Sequence, residues 1–200
     1  MQSAREAERK PRQYPKGKIL FGVCLVALII AGYGAWQYTQ LPSTNGSGTE
    51  GLAPSFSLKD INETQFSFNQ YSGKVIAIHF MAVDCNGEID PTNDHQLTQL
   101  KTVCNKYCGN KPVTVVTVAI ATCQSWNLTL AQIRHYYNIT WVLGNDFDDG
   151  KMDIVNAYTE YSIGDGTIVL IDKTFNVAQV YTDAITADTL SLKINQLLGA

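Results

Sequence analysis

Two long apolar runs, Val75–Val83 and Val113–Ala121, dominate the hydropathy pattern of this chain. Both are rich in β-branched residues and bounded by polar turns, as expected of strands buried on both faces of a parallel sheet. Between them, residues 92–108 place Leu97, Leu100, Val103/Cys104 and Tyr107 at helical spacing, with Thr92 or Asn93 as the N-cap. The same reasoning predicts a helix over 128–137 behind Ser125 or Asn127, a short strand over 141–143 and a helix over 151–161. A strand over 167–171, a hairpin strand over 177–181 and a helix over 186–198 follow. Upstream, an APSFSLKD stretch opens at Pro54, and residues 65–68 form a short strand. Strands alternating with helices, then a terminal β-hairpin and helix, describe an α/β sandwich around a central sheet.

The amino-terminal third follows a different pattern. Residues 1–18 carry Arg5, Arg9, Lys10, Arg12, Lys16 and Lys18 against only Glu6 and Glu8. Residues 19–38 contain no charge and end in Tyr33, Trp36 and Tyr38. About 20 apolar residues at 1.5 Å rise cross a bilayer core, so this segment is expected to be a transmembrane signal anchor. The basic flank then stays in the cytoplasm and the aromatic residues reach the outer interface. A cleaved signal peptide is the competing reading, with Gly32-Tyr33-Gly34 as the nearby small-residue pattern. Residues 39–53 read as a flexible Gly/Ser/Thr-rich linker, and residues 54–200 as one domain on the extracytoplasmic side of the cell membrane.

Charge narrows the set of partners. From Pro54 onward the chain has nine Lys and Arg against fifteen Asp and Glu, a formal charge of −6. Such a surface has no attraction for phosphate backbones, so nucleic acid is not an expected partner. The sequons at Asn45, Asn62, Asn127 and Asn138 fit an exported glycoprotein.

The chemistry centres on the cysteines. Cys85 follows the first long strand and Cys123 follows the second. Residues just beyond the carboxyl ends of adjacent parallel strands share one edge of the sheet, within reach of a disulfide. Cys85–Cys123 is therefore the expected pair, either as a redox couple or as a structural staple. Asp84, Glu88, Asp90 and Asp94 crowd the loop, and no Lys or Arg stands between Lys74 and Lys101. That charge disfavours a thiolate at Cys85. Cys104 falls in the apolar stripe of its helix and reads as a small buried hydrophobe, with a Cys104–Cys108 disulfide open if the helix frays before Gly109. Cys24 reads as packing filler in the membrane segment. His79, inside a strand, reads as a packed core histidine and His135 as a solvated one. Cys85, Glu88, Asp90, Asp94 and His95 match no standard zinc spacing, and the Asn145–Gly150 acidic turn lacks the ligand pattern of a calcium loop. No metal or cofactor is expected.

Over nearly all of residues 53–198 the chain resembles membrane-anchored thioredoxin-like proteins of the TlpA/ResA redoxin type. The resemblance rests on APSFSLKD, YSGKVIAIHFMAVDC, VLGNDFDDGKMDIVNAYTEYSI, GTIVLID and TADTLSLKINQLL, in that order. It implies a thioredoxin-like fold, a central mixed β-sheet flanked by helices, with Cys85 in the place of the nucleophile. Three departures accompany it. Glu88 stands where the resolving cysteine of Cys-x-x-Cys belongs, Asp84 replaces the usual Trp, and Gly166 aligns with the cis-proline. The resemblance implies an oxidoreductase acting on protein thiols and disulfides with Cys85 as its nucleophile; the sheet topology adds Cys123 as the resolving thiol, and Glu88 is the candidate for proton transfer to or from Cys85. The rival expectation is a non-catalytic binding domain with a structural Cys85–Cys123 disulfide.

Overall fold

The computed structural model describes residues 51–84, 86–121, 125–147 and 150–199. The expected membrane segment, Cys24, Asn45, Cys85 and Cys123 lie outside the described residues. Among the described residues no helix is long and apolar enough to cross a membrane.

A five-stranded sheet forms the centre, in the order β5-β4-β3-β6-β7. Its strands are β3 (Val75–Val83), β4 (Val113–Ala121), β5 (Val142–Asn145), β6 (Ile168–Ile171) and β7 (Val177–Tyr181). β3, β4 and β5 run parallel, whereas β6 is antiparallel to both β3 and β7. A small antiparallel hairpin, β1 (Ser57–Lys59) and β2 (Gln65–Ser67), forms a second sheet beside β5. The helices are α1 (Pro91–Tyr107), α2 (Trp126–Tyr137), α3 (Asp153–Ala157) and α4 (Ala187–Leu198).

Alternation along β3 sends successive side chains to opposite faces and so divides the core in two. Ala77, Met81 and Val83 pack with Leu97, Leu100 and Val103 of α1, Leu130 and Ile133 of α2, and Leu190 and Ile194 of α4. Ile76, Ile78 and Phe80 pack on the other face with Phe66, Phe68, Ile154 and Tyr158. The central strands are almost wholly apolar, with His79 and Thr117 as buried exceptions, because both faces are covered.

Several element ends differ from the sequence expectation. α1 is capped by Asp90, whose carboxylate accepts from Thr92 N at 2.7 Å, with Pro91 in the first turn. Proline suits that position because its missing N–H would lack a helical partner anyway. Asn93, an expected cap, is instead fully buried. The expected helix over 151–161 splits into α3 and a 3₁₀ turn at Thr159–Tyr161, around the buried Tyr158. Gly51 and Ala53, expected in the linker, already belong to the domain. Val177 N donates to Gly51 O at 2.9 Å, and Ala53 N donates to Phe175 O at 2.8 Å.

One buried ion pair ties the hairpin to α2. Arg134 donates from Nη1 to Asp60 Oδ1 at 3.1 Å and from Nη2 to Oδ2 at 2.6 Å. The same carboxylate accepts from Leu143 N and Asn62 N. Burial by itself raises the Asp60 pKa, but the bonds from Arg134, Leu143 and Asn62, together with the Arg134 charge, bring it below the usual carboxylate value.

Candidate functional site

β3 and β4 pair in parallel up to Val83 opposite Ala121, the last residues of both strands. In sequence, Cys85 and Cys123 each stand two residues beyond that final pair. The end of β4 is held firmly. Asn145 pairs with Ala121 through its side chain, accepting from Ala121 N at 2.9 Å and donating to Ala121 O at 3.0 Å. The next residue, Asp146, accepts from Ile154 N and Val155 N and so caps α3. The acidic turn thus has two structural duties in its first two residues.

The loop after β3 folds around Asp84. Its Oδ1 accepts from Asn86 N at 2.9 Å and Glu88 N at 2.7 Å, while Oδ2 accepts from Asn86 Nδ2 at 3.3 Å. Gly87 N donates to Asp84 O at 3.2 Å, closing the turn. Two consequences follow for a thiol at position 85. α1 begins only at Pro91, so its amino-terminal dipole, which falls off within a turn, acts at a distance. The amides on either side of Gly87 already serve a carboxylate. Glu88 itself is exposed, unlike a desolvated catalytic acid.

A polar chain that the sequence reading missed runs from the buried His79 and Asn93 out to the exposed Asp165. His79 Nε2 and Asn93 Oδ1 are 3.1 Å apart, and Asn93 Nδ2 donates to Asp165 Oδ1 at 2.6 Å. Asp165 Oδ1 also accepts from Ala82 N at 2.7 Å. Because the Asn93 amide donates toward Asp165, its oxygen faces His79, and the imidazole proton therefore sits on Nε2. Nδ1 is left as a buried lone pair without a partner. Burial lowers the His79 pKa to about 4, against the smaller opposing effects of Asn93 and the Asp165 charge. His79 is a neutral core histidine at physiological pH. The missed signal was the spacing of Asn93 with Leu97, Leu100 and Cys104, which puts it on the inward stripe of α1.

The residue aligned with the cis-proline behaves differently here. No cis peptide bond occurs among the described residues, and Gly166 adopts φ +77°. A Cβ on Gly166 would meet Thr92 Cγ2 at 2.8 Å, so α1 seats directly on this strand entrance. Gln96 reinforces the contact, donating from Nε2 to Gly166 O and Asp183 O, both at 3.2 Å.

The remaining cysteines lie at the far end of α1. Cys104 and Cys108 form a disulfide, so of the two readings of Cys104, a small buried hydrophobe or a partner of Cys108, the structure has the second. The bond is compatible with the helix because α1 stops at Tyr107 and Cys108 turns extended, at φ −62° and ψ 131°. Among the described residues no group of three or more His, Cys, Asp or Glu side chains converges as a metal site would require.

No protein-family model matches the chain, and no curated protein matches it in sequence. Solved structures do resemble it. A thioredoxin-family thiol:disulfide interchange protein from Chlorobium tepidum TLS shares 18% identity at a TM-score of 0.62, covering 75% of this chain and 97% of its own. The thioredoxin domain of a thiol-disulfide oxidoreductase from Bacteroides vulgatus shares 17% identity at a TM-score of 0.57, covering 75% and 97%. A thiol-disulfide oxidoreductase from Bacteroides fragilis NCTC 9343 shares 18% identity at a TM-score of 0.57, covering 74% and 100%. At these identities the likeness establishes architecture alone: this chain carries a thioredoxin-like α/β fold with a central mixed sheet.

Proposed function

We propose that this chain is a membrane-tethered, extracytoplasmic thiol–disulfide oxidoreductase in which Cys85 and Cys123 replace the usual vicinal dithiol. The observation that carries this reading is the parallel register ending at Val83 and Ala121, which launches both cysteine-bearing segments from one edge of the sheet. In the reductive direction the Cys85 thiolate attacks a substrate disulfide and expels one substrate thiolate. Cys123, as thiolate, then attacks Cys85 Sγ in the mixed disulfide and releases the second substrate thiol. Two electrons pass to the substrate, and the chain is left with a Cys85–Cys123 disulfide. In this reading Glu88, exposed on the same loop, relays protons between Cys85 and bulk water and is not a desolvated acid.

The surroundings of Cys85 favour a reductant over an oxidant. A strongly oxidising couple, near about −120 mV, owes its potential to a stabilised reduced form, whereas thioredoxin stands near about −270 mV. Here the loop amides are committed to Asp84, and no Lys or Arg pairs with Asp84, Glu88, Asp90 or Asp94 among the described residues. A thiolate gains nothing from such a loop. The Lys/Arg excess in residues 1–18 and the uncharged segment 19–38 support the tether. The three sequon asparagines among the described residues, Asn62, Asn127 and Asn138, are all exposed, which suits glycosylation.

The same Asp84-centred loop favours a second reading, a binding domain in which Cys85–Cys123 is a structural staple. Reduction of an insulin-type disulfide by the full chain and by Cys85→Ser separates the two. The oxidoreductase reading expects the variant to lose activity. Equal rates for both proteins overturn it and leave the binding domain.

A further inference from the structure

A cavity of about 310 Å³ opens between the loop after β3 and α2, lined by Asn86, Gly87 and Ile89 on one side and Ile133, Tyr136 and Tyr137 on the other. Asn86 is the residue next to Cys85 in sequence. We propose that this cavity receives a lysine or arginine side chain from an extended, cysteine-bearing segment of a partner protein. The inference rests on the oxidoreductase reading for the partner's cysteine, whereas the choice of a cationic side chain rests on the cavity itself.

The walls suit a long side chain with an apolar stem and a charged head. Ile133 is buried and Ile89 half-buried, giving an apolar floor against which methylene groups can pack. Tyr136 and Tyr137 stand edge to face with centroids 4.8 Å apart, and Tyr136 is 79% exposed. An exposed aromatic ring at a cavity mouth offers its π-face to a cation. Tyr137 is fixed by donating its hydroxyl to Asp94 Oδ1 at 2.6 Å, and burial and this carboxylate both raise its pKa, so the wall stays protonated.

Charge at the rim selects the head group. Glu88 sits between two lining residues and is exposed, and Asp94 lies behind Tyr137. Asp84 and Asp90 belong to the same stretch, with no Lys or Arg from Lys74 to Lys101 to neutralise them. The Arg134 guanidinium of α2 is committed to Asp60. An acidic side chain entering here meets like charge at the exposed Glu88, and a purely apolar one gains no attraction from it.

The test uses the full chain in non-ionic detergent and short peptides with serine in place of cysteine, so that no thiol chemistry can occur. The peptides differ only in carrying Lys, norleucine or Glu beside the serine. The expected result is Lys binding at least about fivefold tighter than norleucine or Glu, weakening with salt and falling about two- to fivefold in Tyr136→Ala. Glu88→Gln should narrow the gap between Lys and norleucine. Equal affinity for the Lys and norleucine peptides, preference for Glu, or indifference to Tyr136→Ala overturns the proposal. Because these peptides cannot react, failure of the oxidoreductase reading appears only in the Cys85→Ser activity assay. Failure of the cavity assignment appears only in binding.

Discussion

Gly166 lies so close to Thr92 that a Cβ on the glycine would fall 2.8 Å from the threonine Cγ2. The contact joins the entrance of β6 to the first turn of α1 and requires φ +77° at Gly166. Gly166→Ala therefore meets two penalties, about 1–2 kcal/mol for the left-handed backbone and about 1–3 kcal/mol for overpacking. The expected loss, read by urea unfolding, is roughly 2–5 kcal/mol. Adding Thr92→Ala should recover the overpacking part and leave the backbone part. A Gly166→Ala protein as stable as the parent would show that the helix does not seat as described.

Where local pattern and tertiary environment agree, the elements were legible in the sequence. β3, β4 and β7 have the bounds read from their apolar runs, because their burial pattern suits one continuous strand each. The end of the helix expected over 151–161 was not legible. Tyr158 is fully buried against Phe80 and Phe56, which turns the chain into a 3₁₀ turn before Ser162 at φ 54°. The polar chain from His79 through Asn93 to Asp165 escaped notice because its members are far apart in sequence and meet only across the sheet edge. Asn93 and Asp165 carry strong local preferences for caps and turns, which hide such a role.

The buried imidazole makes a pH prediction. His79 is depressed to about 4 in the folded chain and rises to its ordinary value of 6.5 on unfolding. The unfolded state then binds more protons between those values, so stability is full above about pH 6.5 and falls as pH drops toward about 4. The loss attributable to His79 is on the order of 3 kcal/mol. Unfolding free energies measured across pH 4–7 on the parent and His79→Gln should show a steeper slope in the parent. Parallel slopes would mean that His79 is not held neutral by burial.

The Cys104–Cys108 bond closes a loop of sequence separation 4. Chain entropy gives so short a loop about 2 kcal/mol, against about 4 kcal/mol for a loop as long as Cys85 to Cys123. Replacing Cys104 and Cys108 together by serine should lower stability by about 2 kcal/mol. It should leave disulfide reduction unchanged, because the 17 residues of α1 separate this bond from the loop after β3. A variant with parental stability but reduced turnover would reverse these roles and place redox chemistry at the carboxyl end of α1.

Cys85 and Cys123 are expected to be partners, whether in turnover or as a staple. Mass mapping of the full chain, digested after blocking free thiols under oxidising conditions, tests this pairing directly. The expected result is one crosslinked peptide pair containing Cys85 and Cys123 beside a separate Cys104–Cys108 peptide. Cys85 recovered as a blocked thiol, or joined to Cys104 or Cys108, would contradict the account.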